Sequence, residues 1–221
     1  MGLIVSAGKG ALVDASFVRQ WIAAVSEAME EQREYLTQLD AAIGDADHGV
    51  NMNRGFSAVM EKLEGTDPQT PGEILTLVGS TLISKVGGAA GPLYGSAFRQ
   101  VGKTLGDENS PDADQLAAAL RAGLEAMQKL GAAQPGDKTI VDAFLPALEA
   151  WEKESAAGGS TGSIAARARE AAEEGMRATI PLQARKGRAS YLGPRSVGHQ
   201  DPGATSTALI FAALERVAES T

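Results

Sequence analysis

Three aspartates fall within eight residues in the run Leu39-Asp-Ala-Ala-Ile-Gly-Asp-Ala-Asp-His-Gly49. Carboxylates held a few ångströms apart repel by about 1 kcal/mol per pair even in bulk water, so such a cluster needs a compensating group. Hard divalent cations compensate through oxygen ligands, and Mg²⁺ completes its octahedron with waters and phosphate oxygens. Asp45 and Asp47 are two apart and would not share a helix face. Gly44 and Gly49 bracket them, which predicts a tight loop that turns Asp40, Asp45 and Asp47 inward. The alternative is a solvated acidic loop in which Asp47 or Asn51 caps the following helix.

Three further segments carry possible chemistry. Gly87 to Gly91 is a glycine-rich junction that can bring backbone close to a ligand and aim helix N-terminal amides at phosphate; a close helix–helix turn reads equally well. Gly131 to Thr139 invites comparison with a phosphate-binding P-loop and fails it. Asp137 separates the glycine from the lysine and no strand precedes it, so Asp137 or Thr139 is expected to cap the next helix. Both histidines of the chain, His48 and His199, precede predicted helix starts in an Asp/Gly context. Arg188 is suited to pairing with phosphate or carboxylate, or stands as a solvated charge.

The elements that must position these residues read as helices. Ala, Leu and Glu are frequent, aromatics are few, and the sequence has no alternating strand run, which predicts an all-α domain of eight helices. The first spans about Asp14 to Leu39 on the apolar period of Phe17, Val18, Trp21, Ile22, Val25, Met29, Leu36 and Leu39, and Asp40 closes it. The second runs from Val50 to Leu63. The third opens on Thr70-Pro-Gly-Glu73, a capping box with proline in the first turn, and ends near Val86. The fourth spans Pro92 to Leu105 and the fifth Asp112 to Leu130. The sixth spans Thr139 to Glu154, with a kink expected at Pro146. The seventh follows Gly158-Gly159-Ser160 and ends near Thr179. The eighth starts at Asp201-Pro202, with Asp as cap. Short links make neighbours antiparallel. Gln183 to Gln200 has no helical period, and it is basic within an acidic chain. A loop that long is uncommon in a compact domain unless it is functional or disordered.

Composition narrows the function. The 221 residues suit one domain, taken as 1–221, with a net charge of −8, which argues against nucleic-acid or anionic-membrane partners. No apolar run is long enough for a membrane span, and Met1 to Val5 lacks the apolar core of a signal peptide. Cysteine is absent, which excludes disulfides and thiolate metal sites. A cytoplasmic address is expected.

Side by side, four segments resemble the nucleotide-binding L subunit of dihydroxyacetone kinases: Leu39 to Gly49, Gly87 to Gly95, Pro135 to Thr139, and Gly187 to Gly193 continuing through Gly198 to Ala204. Their order and separations match along nearly the whole chain. The resemblance implies an eight-helix antiparallel barrel with the nucleotide at one end. It implies two Mg²⁺ on Asp40, Asp45 and Asp47, and ADP/ATP phosphates lined by His48, Gly49, Val50, Asn51, Ala89 and Ala90. Gly131 and Ile140 would frame the adenine, while Arg188, as the catalytic cation, and Asp201, Pro202 and Gly203 complete the pocket. The family commonly has serine where this chain has Ala90, which removes a hydroxyl contact and leaves the backbone amide. Both histidines lie in nucleotide motifs and no residues remain for a substrate domain, so a separate subunit is implied. Such subunits relay a phosphoryl group from a phosphohistidine on an M-type subunit, through bound ADP, to dihydroxyacetone on a K-type subunit. The alternatives are an ATP-dependent kinase for dihydroxyacetone or another short ketose, and a subunit that binds a transcription regulator.

Overall fold

The computed structural model describes residues 13–220, so the reading made on Met1 to Val5 lies outside the described residues. They form nine α-helices and one 3₁₀ segment, with no strand: α1 Ala15–Glu31, α2 Arg33–Ile43, α3 His48–Glu64, α4 Pro71–Lys85, α5 Ala90–Leu105, α6 Ala113–Gly131, α7 Val141–Ala156, α8 Thr161–Ala178 and α9 Pro202–Ala218, with the 3₁₀ turns at Arg188–Ser196. From α3 onward each helix packs on the next, while α1 packs on both α3 and α9, so the ring closes on itself. One core runs through it, including Trp21, Phe56, Leu82, Leu148 and Trp151. The two tryptophans satisfy their indole N–H groups on main-chain carbonyls: Trp21 on Ile210 at 3.0 Å, across the α1–α9 closure, and Trp151 on Ala113 at 2.9 Å. Among the described residues no helix is long and apolar enough to cross a membrane.

The helix count differs from eight because the first expected helix is two. Gln32 departs from helical geometry (φ −95°, ψ 7°), ending α1 and starting α2. The apolar period lapses between Met29 and Leu36, where Glu30, Glu31, Gln32, Arg33 and Glu34 bury nothing that could hold the helix straight. The remaining boundaries hold to within two residues at most starts: α3 begins at His48 rather than Val50, and α5 at Ala90 rather than Pro92. Inside Gln183 to Gln200 the chain takes 3₁₀ turns, broken at Gly193 (φ 57°).

Caps show where local chemistry was read correctly and where it was not. Asp14 accepts from the Phe17 amide and Asp201 from the Ala204 amide, each closing a helix start. Thr70 accepts from the Glu73 amide, but the Glu73 carboxylate reaches the amide of Gln69 rather than of Thr70, so the box closes one residue early. Ile140 stands at the N-cap position of α7, but the Thr139 hydroxyl accepts from the Val141 amide at 3.2 Å, so Thr139 and not Asp137 closes the first amide of the helix. Asp142, in the first turn, reaches back to the amides of Gly136 (2.5 Å) and Thr139 (2.7 Å). α7 continues through Pro146 as one helix. Proline has no N–H to give the Asp142 carbonyl, and Gly175 of α8 packs against that carbonyl so closely that a Cβ there would lie 2.1 Å away.

The α4–α5 contact is backbone on backbone. A Cβ on Gly79 would lie 2.5 Å from the Gly95 carbonyl oxygen, and one on Gly102 would lie 2.5 Å from that of Gly72. Glycines seven apart on each helix, at 72 and 79 and at 95 and 102, thus form one seam. Gly95→Val should therefore cost about 1–3 kcal/mol through overpacking. Gly65→Ala, whose Cβ meets nothing nearer than 3.6 Å, should stay within about 0.5 kcal/mol in the same urea titration.

Candidate active site

The alternation of helix direction puts the N-termini of α3, α5, α7 and α9 at one end of the ring, together with the C-terminus of α2. A cavity of about 690 Å³ opens there, lined at those four helix starts by His48, Ala90, Val141 and Pro202. Helix N-termini carry partial positive charge and unbonded amides, a ready anion site. Asp47, Ala89 and Ile140 stand at the cap positions of α3, α5 and α7 without making a side-chain cap bond, while Asp40 takes the His48 amide of α3 and the Thr139 hydroxyl the Val141 amide of α7.

The aspartates meet at the cavity rim. Asp40, Asp45 and Asp47 each offer an oxygen within 4.8 Å of the others. Asp40 sits buried in the last turn of α2, and its Oδ2 accepts from the amides of Asp47 (2.8 Å) and His48 (3.2 Å). A Cβ at Gly44 would lie 2.0 Å from Asp40 Oδ1, so this turn needs glycine. Between Asp45 and Asp47, Ala46 takes a left-handed φ of 62°, a strained choice for a residue with a Cβ. That bend brings both carboxylates round to Asp40. Arg188 Nε bonds Asp45 Oδ2 at 2.9 Å from the 3₁₀ segment. At an exposed position such a pair contributes at most about 1 kcal/mol. Oxygen-only donors this close, with Asp47 excused from capping, fit Mg²⁺ or another hard cation.

The other expected residues are mostly together. His48, Asn51, Ala89, Ala90, Gly131, Ile140, Arg188, Asp201, Pro202 and Gly203 all line the cavity with the three aspartates. Gly49 and Val50 do not. Gly49 packs on α2, where a Cβ would lie 2.0 Å from the Arg33 carbonyl oxygen, and the Val50 side chain is 49% exposed. Asn51 Oδ1 accepts from Arg54, and Gly87 leaves room for that amide. Sequence reasoning missed Leu93, Met127 and Thr139 in the lining, and gave Lys138 no role. The helical period marks Leu93 and Met127 as apolar, but not which of them face an opening.

Core and rim are tied by a polar chain. His48 Nε2 lies 2.9 Å from Ser206 Oγ, which lies 2.7 Å from the Tyr94 hydroxyl. Tyr94 donates to the Gly203 carbonyl or to its hydroxyl partners Ser206 and Thr207. Burial holds the His48 imidazole below its ordinary pKa, against the pull of Asp40 and Asp47. Burial likewise pushes the Tyr94 phenol up. The Asp201 carboxyl is pushed up to about 7, by burial and by Asp142 and Asp40, against the Ala204 amide and Lys138.

Residues 42–216 match the DAK2 domain. The chain belongs to the DAK2-domain family. The match spans the lining from Ile43 to Gly203, and Asp40 lies two residues ahead of it. The ADP-binding subunit DhaL of the PEP-dependent dihydroxyacetone kinase of Escherichia coli (strain K12) is 43% identical over 199 residues, covering 90% of this chain and 95% of that protein. Its counterpart from the PTS-dependent enzyme of Lactococcus lactis subsp. lactis (strain IL1403) is 43% identical over 198 residues, covering 90% of this chain and 95% of that protein. The crystal structure of the dihydroxyacetone kinase from C. freundii in complex with AMP-PNP and Mg²⁺ matches with a TM-score of 0.72 at 24% identity, over 98% of this chain and 36% of that one. The last likeness establishes the fold alone.

Asp201 allows a test of this electrostatic reading. Its pKa is raised in the folded state, from 3.8 to about 7, so the native state binds the proton more tightly than the unfolded chain. The stabilisation is complete below about pH 4 and is lost as pH rises through about 7. His48, depressed in the fold, contributes with the opposite sign, so the comparison must be with a variant. Relative to Asp201→Asn, which keeps a cap acceptor, the wild type should lose on the order of a few kcal/mol between pH 4 and 7.5 in urea titrations. A pH-independent difference would contradict the assignment.

Proposed function

We propose that this protein is the ADP-binding, Mg²⁺-dependent subunit of a dihydroxyacetone kinase of the phosphotransferase-dependent type, acting as one domain in the cytoplasm. The carrying observation is the placement of three carboxylates, within 4.8 Å of one another, beside four converging helix N-termini in one cavity. A volume of about 690 Å³ falls in the range of about 300–1,000 Å³ typical of small-molecule sites. The relatives named as ADP-binding subunits, alike over 90% of the chain, support the same reading.

In this reading Asp40, Asp45 and Asp47 hold two Mg²⁺. The ions and ADP/ATP supply charge neutralisation and a phosphoryl carrier between an M-type phosphohistidine subunit and dihydroxyacetone on a K-type subunit. The chain's own residues align and compensate. The first-turn amides of Gly49 and Val50 in α3, beside the side chains of His48 and Asn51, and the amides of Ala89 and Ala90 face the phosphates; Ala90 offers its main chain in place of a hydroxyl. Leu93, Met127, Gly131 and Ile140 frame the base, and Asp201, Pro202 and Gly203 close the wall. Arg188 pairs with the charge that develops in transfer, leaving Asp45 to the metal. Phosphoryl transfer needs alignment and electrostatic stabilisation more than covalent help. We assign no general base here, because the attacking hydroxyl sits on another subunit.

Calorimetry tests the reading. ADP should bind in Mg²⁺, and chelation or Asp45→Asn should each weaken it by at least the roughly 10–100-fold that loss of an outer-shell partner costs, with helical circular dichroism unchanged. Wild-type protein that ignores ADP in Mg²⁺ would refute it. With K-type and M-type subunits added, turnover should need the phosphohistidine donor, and turnover on free ATP alone would select the ATP-dependent alternative. Arg188→Ala should lower turnover by roughly 10²–10³-fold, the scale for one transition-state donor, while shifting stability by under about 1 kcal/mol.

A further inference from the structure

Lys138 belongs to the Gly-Asp-Lys-Thr turn that fails as a P-loop, yet its side chain is among the most deeply buried in the molecule, 1% exposed. Its Nζ donates to the carbonyls of Thr179 (2.7 Å), Leu182 (3.1 Å) and Ile180 (3.4 Å), and to that of His199. Thr179, Ile180 and Leu182 end α8 and begin the basic segment; His199 ends it. One ammonium therefore clamps both ends of the 183–200 loop. The Gly198 amide repeats the closure on the Ile180 carbonyl at 2.8 Å. Asp137 secures the near side, its carbonyl accepting from the Arg185 amide at 3.0 Å. Inside the loop, buried Ser196 accepts from the Ala184 amide and donates to the Gly193 carbonyl. At the tip, Arg188 reaches Asp45.

An ammonium has three N–H donors, and four carbonyls already surround this one, which leaves no donor for a phosphate. Lys138 also takes a φ of 62°, a backbone conformation rare for a residue with a side chain, and although the residue lines the cavity its ammonium is spent on the carbonyls at the base of the loop. Burial lowers its pKa, against the pull of Asp201 and Asp142.

We propose that Lys138 is a positioning residue: a latch that closes the 183–200 loop as one unit and thereby holds Arg188 over the acidic cluster. The consequence for transfer rests on the function proposed above, whereas the latch itself does not. Four trypsin sites, Arg185, Lys186, Arg188 and Arg195, lie in the loop. In Lys138→Met, cleavage at these sites should speed up by about tenfold or more as the open population rises, with the helical circular dichroism and cleavage at sites that open by other local fluctuations little changed. Unchanged loop cleavage, or equal acceleration over the whole chain, would overturn the latch. This readout needs no nucleotide.

A double-mutant cycle on Mg·ADP affinity then separates a latch from a direct phosphate ligand. Lys138→Met should weaken binding in the wild type but add little in the Arg188→Ala background, and fully additive losses would overturn the proposal. Should Lys138→Met not fold, hydrogen exchange on the unaltered protein decides. The amides of Ala184, Arg185 and Gly198 should share one protection factor, and separate values would refute a single closure.

Discussion

Three negative charges held within 4.8 Å of each other set the terms for this end of the molecule. In water each pair repels by about 1 kcal/mol, and near protein, at an effective dielectric of 20, by about four times as much. The fold meets that cost with fixed groups. Asp40 spends one oxygen on two amides at the start of α3, and Asp45 faces Arg188. The positive ends of α3, α5, α7 and α9 surround the same space. A site so composed suits phosphate oxygens and hard cations together, because each neutralises what the other would leave exposed.

The antiparallel ring makes that concentration automatic. Every second helix starts at the same end, so closing the ring gathers alternate N-termini without any special loop. Closure in turn depends on tight contacts: the glycine seam between α4 and α5, Gly175 against the Asp142 carbonyl, and Trp21 bonded across to α9. Rigid helices then fix the cap residues and the acidic turn more firmly than loops of their own would. The chain from Tyr94 through Ser206 to His48 extends the rigidity of the core to the rim.

Among the described residues the one long irregular segment is the exception, and it carries Arg188. Its 3₁₀ turns bury little beyond Ser196, so its order comes from hydrogen bonds at its base rather than from apolar packing. A lysine among carbonyls supplies those bonds at both ends of the loop at once. That arrangement allows Arg188 to be delivered to Asp45 while remaining largely exposed.

Much of this was legible in the order of residues, because local rules govern it. The 3.6-residue apolar period located the helices, Asp201 announced its cap, and the glycines flanking Asp45 and Asp47 announced a tight acidic turn. The likeness of four linked segments to a known family placed most of the cavity lining. What escaped was settled by contacts between residues far apart in the chain. The break at Gln32 arises because no neighbour packs on the polar stretch after Met29. Gly49 serves the α2–α3 approach, and Val50 points to solvent; neither fact follows from position beside His48. Lys138 looked like a spoiled phosphate loop until its ammonium was seen among carbonyls 41 to 61 residues away. Periodicity and capping are properties of neighbours in sequence. The partner of a buried charge is chosen by the closed fold, where the energy of leaving it unpaired is first felt.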